Sequence, residues 1–279
     1  MNTYTLNSGS KIPAIGFGTW QIEEGEPAYT AVYEALKAGY THIDTASVYG
    51  NEHGAGKAIQ DSGIKRENLF VTTKLWNADR GYENTLVAFD KSLALLQMDY
   101  VDLYLIHWPA NETQFENWES INADTWKALE QLYTEGRAKA IGLSNFPKKY
   151  VEAILKVAKV FPAVNQLEFH PGFLQEETIA FCKSKDILIQ AWSPLGSGRI
   201  LQNEVIVSLS AKYGVSVGQI CIKFALQEGI NPLPKSTNPS NIKANLEINN
   251  FSLSNEDIQA IKNIGELGFS GLNPAEVPF

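Results

Sequence analysis

Eight times along this chain a short apolar stretch that reads as a strand is followed by a longer stretch with helical periodicity. The strand candidates are IGFGT (15–19), HID (42–44), LFVTTKL (69–75), VDLYLIH (101–107), AKAIGLS (138–144), AVNQLE (163–168), ILIQAW (187–192) and NPLPKS (231–236). Helical patterning occupies 27–38, 52–61, 83–96, 122–135, 147–158, 175–184, 216–228 and 239–246. Several of these helices stop at glycine, as at Gly39, Gly136 and Gly229, the residue that most easily takes the left-handed conformation past a helix end. Parallel strands need a crossover between them, and eight strand–helix units in succession satisfy that by closing into a barrel. The expected fold is therefore α/β, a (β/α)8 TIM barrel forming a single domain over 1–279. YTLNSG and KIPAIG predict a small N-terminal β-hairpin around a Ser-Gly turn, and two additional helices are expected at about 203–213 and 254–264.

An open doubly wound sheet is the competing architecture. Its one support is Gly16-Phe17-Gly18 after a strand. Position 21 is glutamine where a dinucleotide fingerprint needs its third glycine, and Trp20 is too bulky for close phosphate approach. Composition narrows the function. The net charge is −8, from 31 acidic and 23 basic side chains, with no Lys/Arg run, which argues against nucleic acid or an anionic membrane as partner. Cys182 and Cys221 lie in apolar helical segments and read as reduced core thiols. The N-terminal residues lack the apolar core of a signal peptide, so a cytoplasmic protein is expected, and the Asn111-Glu112-Thr113 sequon reads as chance.

In a parallel barrel the active site forms where the strands finish. Here those positions carry Asp44, Lys74, His107, Ser144, Asn145, Gln166, Trp192, Ser193, Lys235 and Ser236. Each alone has a structural reading: Asp44 can cap a turn, Lys74 can snorkel out, His107 can be a satisfied core histidine, and Tyr49 beside Gly50 can be a packed loop aromatic. Together, on neighbouring strands and the loop between them, they can converge above the barrel mouth. A buried ammonium next to a phenol lowers the phenol's pKa from its ordinary ~10, a carboxylate paired with that ammonium holds it in place, and a neutral imidazole can orient a carbonyl oxygen. Asp44, Lys74 and His107 would thus make Tyr49 a general acid. A general acid beside a carbonyl suits reduction, and the hydride must come from a cofactor.

At these residues the sequence resembles the aldo-keto reductases. GFGTWQ, HIDTASVYGNE, VTTKLW, YLIHWP, IGLSNF, NQLEFHP, AWSPLG and PKS match that family in order, from about residue 4 to 264, with a likeness to the diketogluconate-reductase type of carbonyl reductase. The resemblance implies a barrel closed at the bottom by the N-terminal hairpin, a tetrad of Asp44, Tyr49, Lys74 and His107 with Tyr49 as proton donor, and an extended NADPH (NADP+) across the mouth. It implies that Ser144, Asn145 and Gln166 hold the nicotinamide carboxamide and that Trp192 stacks on the ring. Gly18, Thr19 and Trp20 flank it, and Asp44 lies beneath. Ser193, Pro194, Leu195 and Gly196 pass over the pyrophosphate. Lys235, Ser236 and Thr237 approach the adenosine 2′-phosphate, with Asn241 and Asn245 nearby. Trp20, Tyr49, Trp76, His107 and Trp108 line the substrate slot, and the short tail after about Gly265 implies an open pocket and broad aldehyde and ketone use. Many relatives have an arginine at the position of Asn241; without its guanidinium fork, NADPH preference should weaken and NADH becomes an alternative donor.

Three functions follow. The first is an NAD(P)H-dependent reductase of small-molecule carbonyls, expected as a monomer with no metal. The second is a noncatalytic nucleotide-binding or structural barrel. The third is a Schiff-base enzyme with Lys74 as nucleophile, which a neighbouring Asp44 disfavours by keeping the amine protonated.

Overall fold

The computed structural model describes residues 2–279. Strands β1 (Thr3–Thr5) and β2 (Lys11–Pro13) pair antiparallel as a hairpin. Eight parallel strands follow in sequential spatial order: β3 (Phe17–Gly18), β4 (His42–Asp44), β5 (Phe70–Leu75), β6 (Leu103–Ile106), β7 (Ile141–Ser144), β8 (Val164–Glu168), β9 (Leu188–Trp192) and β10 (Asn231–Leu233). The first and last of these are stitched together by Gly16 N–H to Pro232 O and Gly18 N–H to Pro234 O, both 3.1 Å. These bonds bring the two edges of the sheet together as a nearly closed barrel, and the open-sheet alternative falls. They also explain the glycines that prompted it. A Cβ on Gly16 would stand 2.4 Å from His42 Nδ1 and 2.5 Å from Leu233 Cδ2, and one on Gly18 would be 3.2 Å from the Leu233 carbonyl. The Gly-Phe-Gly run permits the seam between first and last strands.

The barrel helices are α1 (Glu26–Ala38), α2 (Glu52–Asp61), α3 (Tyr82–Leu96), α4 (Trp118–Thr134), α5 (Lys148–Leu155), α6 (Glu176–Ser184), α8 (Val217–Gln227) and α9 (Pro239–Ala244), with α7 (Glu204–Tyr213) and α10 (Asn255–Lys262) as the two additional ones. The starts of the last four are marked by side-chain caps: Ser216 and Gln219 form a reciprocal capping box on α8, and Asn203, Asn238 and Ser254 cap α7, α9 and α10. Several strands are shorter than their apolar runs. β10 stops at Leu233, although the Pro234 carbonyl still accepts from Gly18 across the seam.

Strand alternation sorts the core into two parts. On β5, Val71 and Leu75 join the shell between barrel and helices, and Thr73 donates outward to Glu52 of α2. Phe70, Thr72 and Lys74 face the axis: Phe70 packs in the bottom cluster, Thr72 bonds His42, and Lys74 bonds Asp44. The hairpin residues Leu6 and Ile12 join Phe70, Leu103, Leu105 and Val164 there, so the hairpin plugs the barrel floor. The mouth is left to the polar ends of the strands. Trp118 and Trp126 are buried on α4 in helix packing, Trp118 edge-on to Tyr150.

Candidate active site

Lys74 is fully buried, and all three of its N–H bonds are used. Nζ donates to Asp44 Oδ1 at 2.6 Å, to the Thr45 carbonyl at 2.9 Å and to the Tyr49 hydroxyl at 3.4 Å. An ammonium can only donate, so Tyr49 Oη accepts from Lys74 and its own O–H points elsewhere. Tyr49 lines the cleft above the barrel, the side from which a proton acceptor can reach its hydroxyl. The phenol is set in place by the short 3₁₀ turn Ser47–Tyr49, which ends at Gly50 with φ of 68° and is tied down by Ser47 Oγ donating to the Lys74 carbonyl at 3.0 Å. Asp44 is completed from across the barrel, where Gln166 Nε2 donates to its Oδ2 at 2.8 Å.

The electrostatics correct one expectation. Lys74 favours the phenolate, yet the Tyr49 pKa is raised above its ordinary 10.0, because burial outweighs the lysine and the nearby Asp44 charge adds to the rise. Tyr49 is therefore a phenol that keeps its proton across the neutral range. Burial alone would lower Lys74, but the charges of Asp44 and Tyr49 and their hydrogen bonds outweigh it; the net shift is upward and the amine stays an ammonium. His107 is held well below the ordinary histidine value by burial and by the Lys74 charge. Its imidazole is neutral as expected, and because Nδ1 is buried with no partner among the described residues, Nε2 is the accessible polar atom.

Tyr49 and His107 sit at the base of a cleft of about 610 Å³. Their rings meet edge to face at 5.6 Å, and Trp76 meets His107 at 5.5 Å. Trp20, Trp76 and Trp108 all line the cleft, as anticipated. On the other side lie Ser144, Asn145, Gln166 and Trp192. Trp192 Nε1 donates to Asn145 Oδ1 at 2.7 Å, while Asn145 Nδ2 donates to the His107 carbonyl and to Ser144 Oγ. The cleft then runs past Ser193, Pro194, Leu195 and Gly198 to Lys235. Gly198 has φ of 90° with open space where a Cβ would project, a cradle for close backbone approach. Four of the non-glycine residues with positive φ, Gln21, Asn145, Ser193 and Ser197, also line it, which fits backbone strain gathered at a working site. Paired amides and a hydroxyl at one end, an indole beside them, a glycine cradle and a cation at the far end suit an elongated dinucleotide.

Other anticipated residues lie around the cleft rather than on its wall. Thr19 is buried, and its hydroxyl donates to the Asp44 carbonyl and to Asn51. Gly18 is on the wall, whereas Gly196, with φ of 56°, turns the loop and packs on Ile200. Ser236, Thr237 and Asn241 are on the surface just past Lys235, and Asn245 is buried at the end of α9. Sequence reasoning missed Gln21, Val48, Ser197, Leu201, Leu233, Leu272 and Phe279 as wall residues. The Phe279 ring stacks on Trp76 at 5.4 Å and meets Trp108 edge-on at 5.4 Å, and its carbonyl accepts from Asn77 Nδ2 at 2.8 Å. The tail thus walls the slot despite being short, contrary to the open pocket anticipated. Asn111 of the sequon is fully buried and donates to the Pro274 and Val277 carbonyls, so it serves to hold that tail.

A closed eight-stranded barrel with an ammonium-backed tyrosine at its mouth defines an oxidoreductase of the aldo/keto reductase type. The chain belongs to that family: the profile described as Aldo/keto reductase family matches residues 14–266. It is 44% identical over 278 residues to a glyoxal reductase of Bacillus subtilis, covering 100% of this chain and 98% of the relative. The crystal structure of an aldo/keto reductase from Brucella melitensis is 48% identical with a TM-score of 0.87, covering 94% of this chain and 98% of that one. A Gox0644 variant in complex with NADPH is 38% identical with a TM-score of 0.92, covering 100% and 99%.

Proposed function

We propose that the protein reduces aldehydes and ketones to alcohols with NADPH, using Tyr49 as the proton donor. The observation that carries this reading is the saturation of Lys74: with its three donors committed, the Tyr49 proton is free to enter the cleft. When bound, the dinucleotide supplies hydride to the carbonyl carbon. Ser144, Asn145 and Gln166 would hold its carboxamide, Trp192 its ring, the 193–198 loop its phosphates, and Lys235 the adenosine phosphate. His107 Nε2 meets the carbonyl oxygen and turns it toward Tyr49. The tyrosine is not acidic, and it does not need to be: an oxygen gaining alkoxide character is a stronger base than phenolate, so the proton moves to it late in the reaction. Lys74 stabilises the phenolate left behind, and Asp44 holds Lys74. The NADPH complex of a structural relative supports the cofactor assignment, and the name glyoxal reductase on a relative supports small aldehydes as substrates.

The reading is tested with Tyr49→Phe, assayed by NADPH oxidation at several carbonyl concentrations. The ring and its packing remain while the proton is removed, so kcat should fall about 10²–10⁴-fold with NADPH affinity retained. A folded, cofactor-binding variant keeping more than about a tenth of the rate would sink the assignment. The burial and triple bonding of Lys74 count against the Schiff-base alternative, since a nucleophilic amine needs a free lone pair.

A further inference from the structure

Glu168 ends β8, two positions beyond Gln166, and its side chain is 3% exposed. Its carboxylate is the meeting point of separate segments. From the C-terminal tail, Ser270 N–H donates to Oε1 at 3.0 Å and Ser270 Oγ to Oε2 at 2.6 Å. From the loop after β9, Arg199 Nη2 donates to Oε1 at 3.3 Å, and Arg199 Nε donates to the Gly268 carbonyl at 2.7 Å. His170 Nε2 stands 3.3 Å from the same Oε1. The backbones around this node are pressed together. Gly268 has φ of +75°, and a Cβ there would be 2.6 Å from Ile200 Cγ2; Gly172 has φ of +92°, and a Cβ there would be 2.8 Å from the Leu267 carbonyl.

The two segments joined at Glu168 each carry part of the wall of the cleft. The loop after β9 carries Leu195, Ser197 and Leu201 along the dinucleotide arm, and the tail carries Leu272 and Phe279 over the substrate slot. We propose that Glu168 is a positioning residue for both ligands: it latches loop to tail, so that nucleotide release and opening of the substrate slot are coupled. This rests on the reading of the cleft as a dinucleotide and carbonyl site. The physical reason is that a buried carboxylate is costly unless its hydrogen bonds are made, and charge-assisted bonds such as those from Arg199 are the strong ones. When either segment leaves, the carboxylate loses donors and water must enter, which weakens its hold on the other.

The test uses the full chain as native protein, Glu168→Gln, Ser270→Ala and Arg199→Gln. Amide hydrogen exchange is followed without nucleotide over residues 196–201 and 267–273. Glu168→Gln should speed exchange in both segments about 10-fold, and Ser270→Ala should speed it in 196–201, which that hydroxyl does not touch. NADPH dissociation, followed by stopped-flow fluorescence with excess NADP+ as trap, should quicken about 10-fold in Glu168→Gln. The carbonyl KM should rise while the single-turnover rate stays within about threefold, because the Tyr49 chemistry is untouched. Local exchange changes confined to the mutated segment, or an unchanged NADPH dissociation rate in Glu168→Gln, would overturn the latch. Should Glu168→Gln fail to fold, Ser270→Ala and Arg199→Gln decide by the same two readouts. Native protein that did not bind NADPH would sink the functional reading, and with it the ligand-positioning role, while the exchange data would still say whether loop and tail are coupled.

Discussion

Replacing Lys74 by methionine removes the cation from a fully buried site while keeping nearly the same side-chain length. Asp44, 3% exposed, is left with the Gln166 amide as its remaining side-chain partner. A buried ion pair broken on one side costs about 3–5 kcal/mol, because the surviving charge is uncompensated. Urea unfolding followed by tryptophan fluorescence at pH 7 should show a loss of that order. Adding Asp44→Asn should restore much of it, since an amide in that place is no longer a buried charge. The pH dependence has a definite sign. Burial already raises the Asp44 pKa above 3.8 with Lys74 opposing it; without the lysine the rise is larger. The folded variant then holds a proton that the unfolded chain has released, so its stability relative to native falls as pH rises from the native value, already above 3.8, through the variant's higher one. The gap between Lys74→Met and native should widen as pH rises above the native Asp44 value toward pH ~7, and the gap between the double variant and native should not. Activity should fall about 10²-fold or more in both, as Tyr49 loses the charge that stabilises its phenolate. A single variant losing less than about 1 kcal/mol, or a double variant less stable than the single, would refute the picture of a desolvated pair.

Asn241→Arg should tighten NADPH binding by fluorescence titration and leave NADH binding unchanged; a native enzyme already at least ~100-fold more efficient with NADPH would remove the premise that the missing guanidinium matters. Gly16→Ala should destabilise the fold by about 1–3 kcal/mol through overpacking at the barrel seam, with little effect on NADPH affinity, whereas a phosphate-binding glycine would show the reverse. His42 is pulled down to about 3 by burial and by the Lys74 charge, and His107 is also lowered. The unfolded chain takes up protons first, so stability should decline as pH falls from 6.5 toward 3, and His42→Gln should flatten part of that decline in urea unfolding.

Much of the site is legible in the amino-acid order itself because it depends on local periodicity. Period-2 alternation and the place where each apolar run stops put Asp44, Lys74, His107, Ser144, Gln166 and Trp192 at one end of one barrel. The helices are equally legible from their apolar spacing, and the last four also from their capping residues, including the two outside the barrel count. What sequence order does not say is which partners a side chain meets across the barrel. Gln166 lies 122 positions from the Asp44 it bonds, and Phe279 lies 202 positions from the Asn77 that holds it. Tyr49 shows the difference most clearly. Its lysine and aspartate are identifiable by type, but the sign of its pKa shift rests on how much water the surrounding packing displaces, and burial outweighs the lysine. Desolvation is a property of everything packed around a group, so only the tertiary structure decides it. For the same reason the tail's return to wall the slot, and Glu168's capture of tail and loop together, exist only in the folded chain.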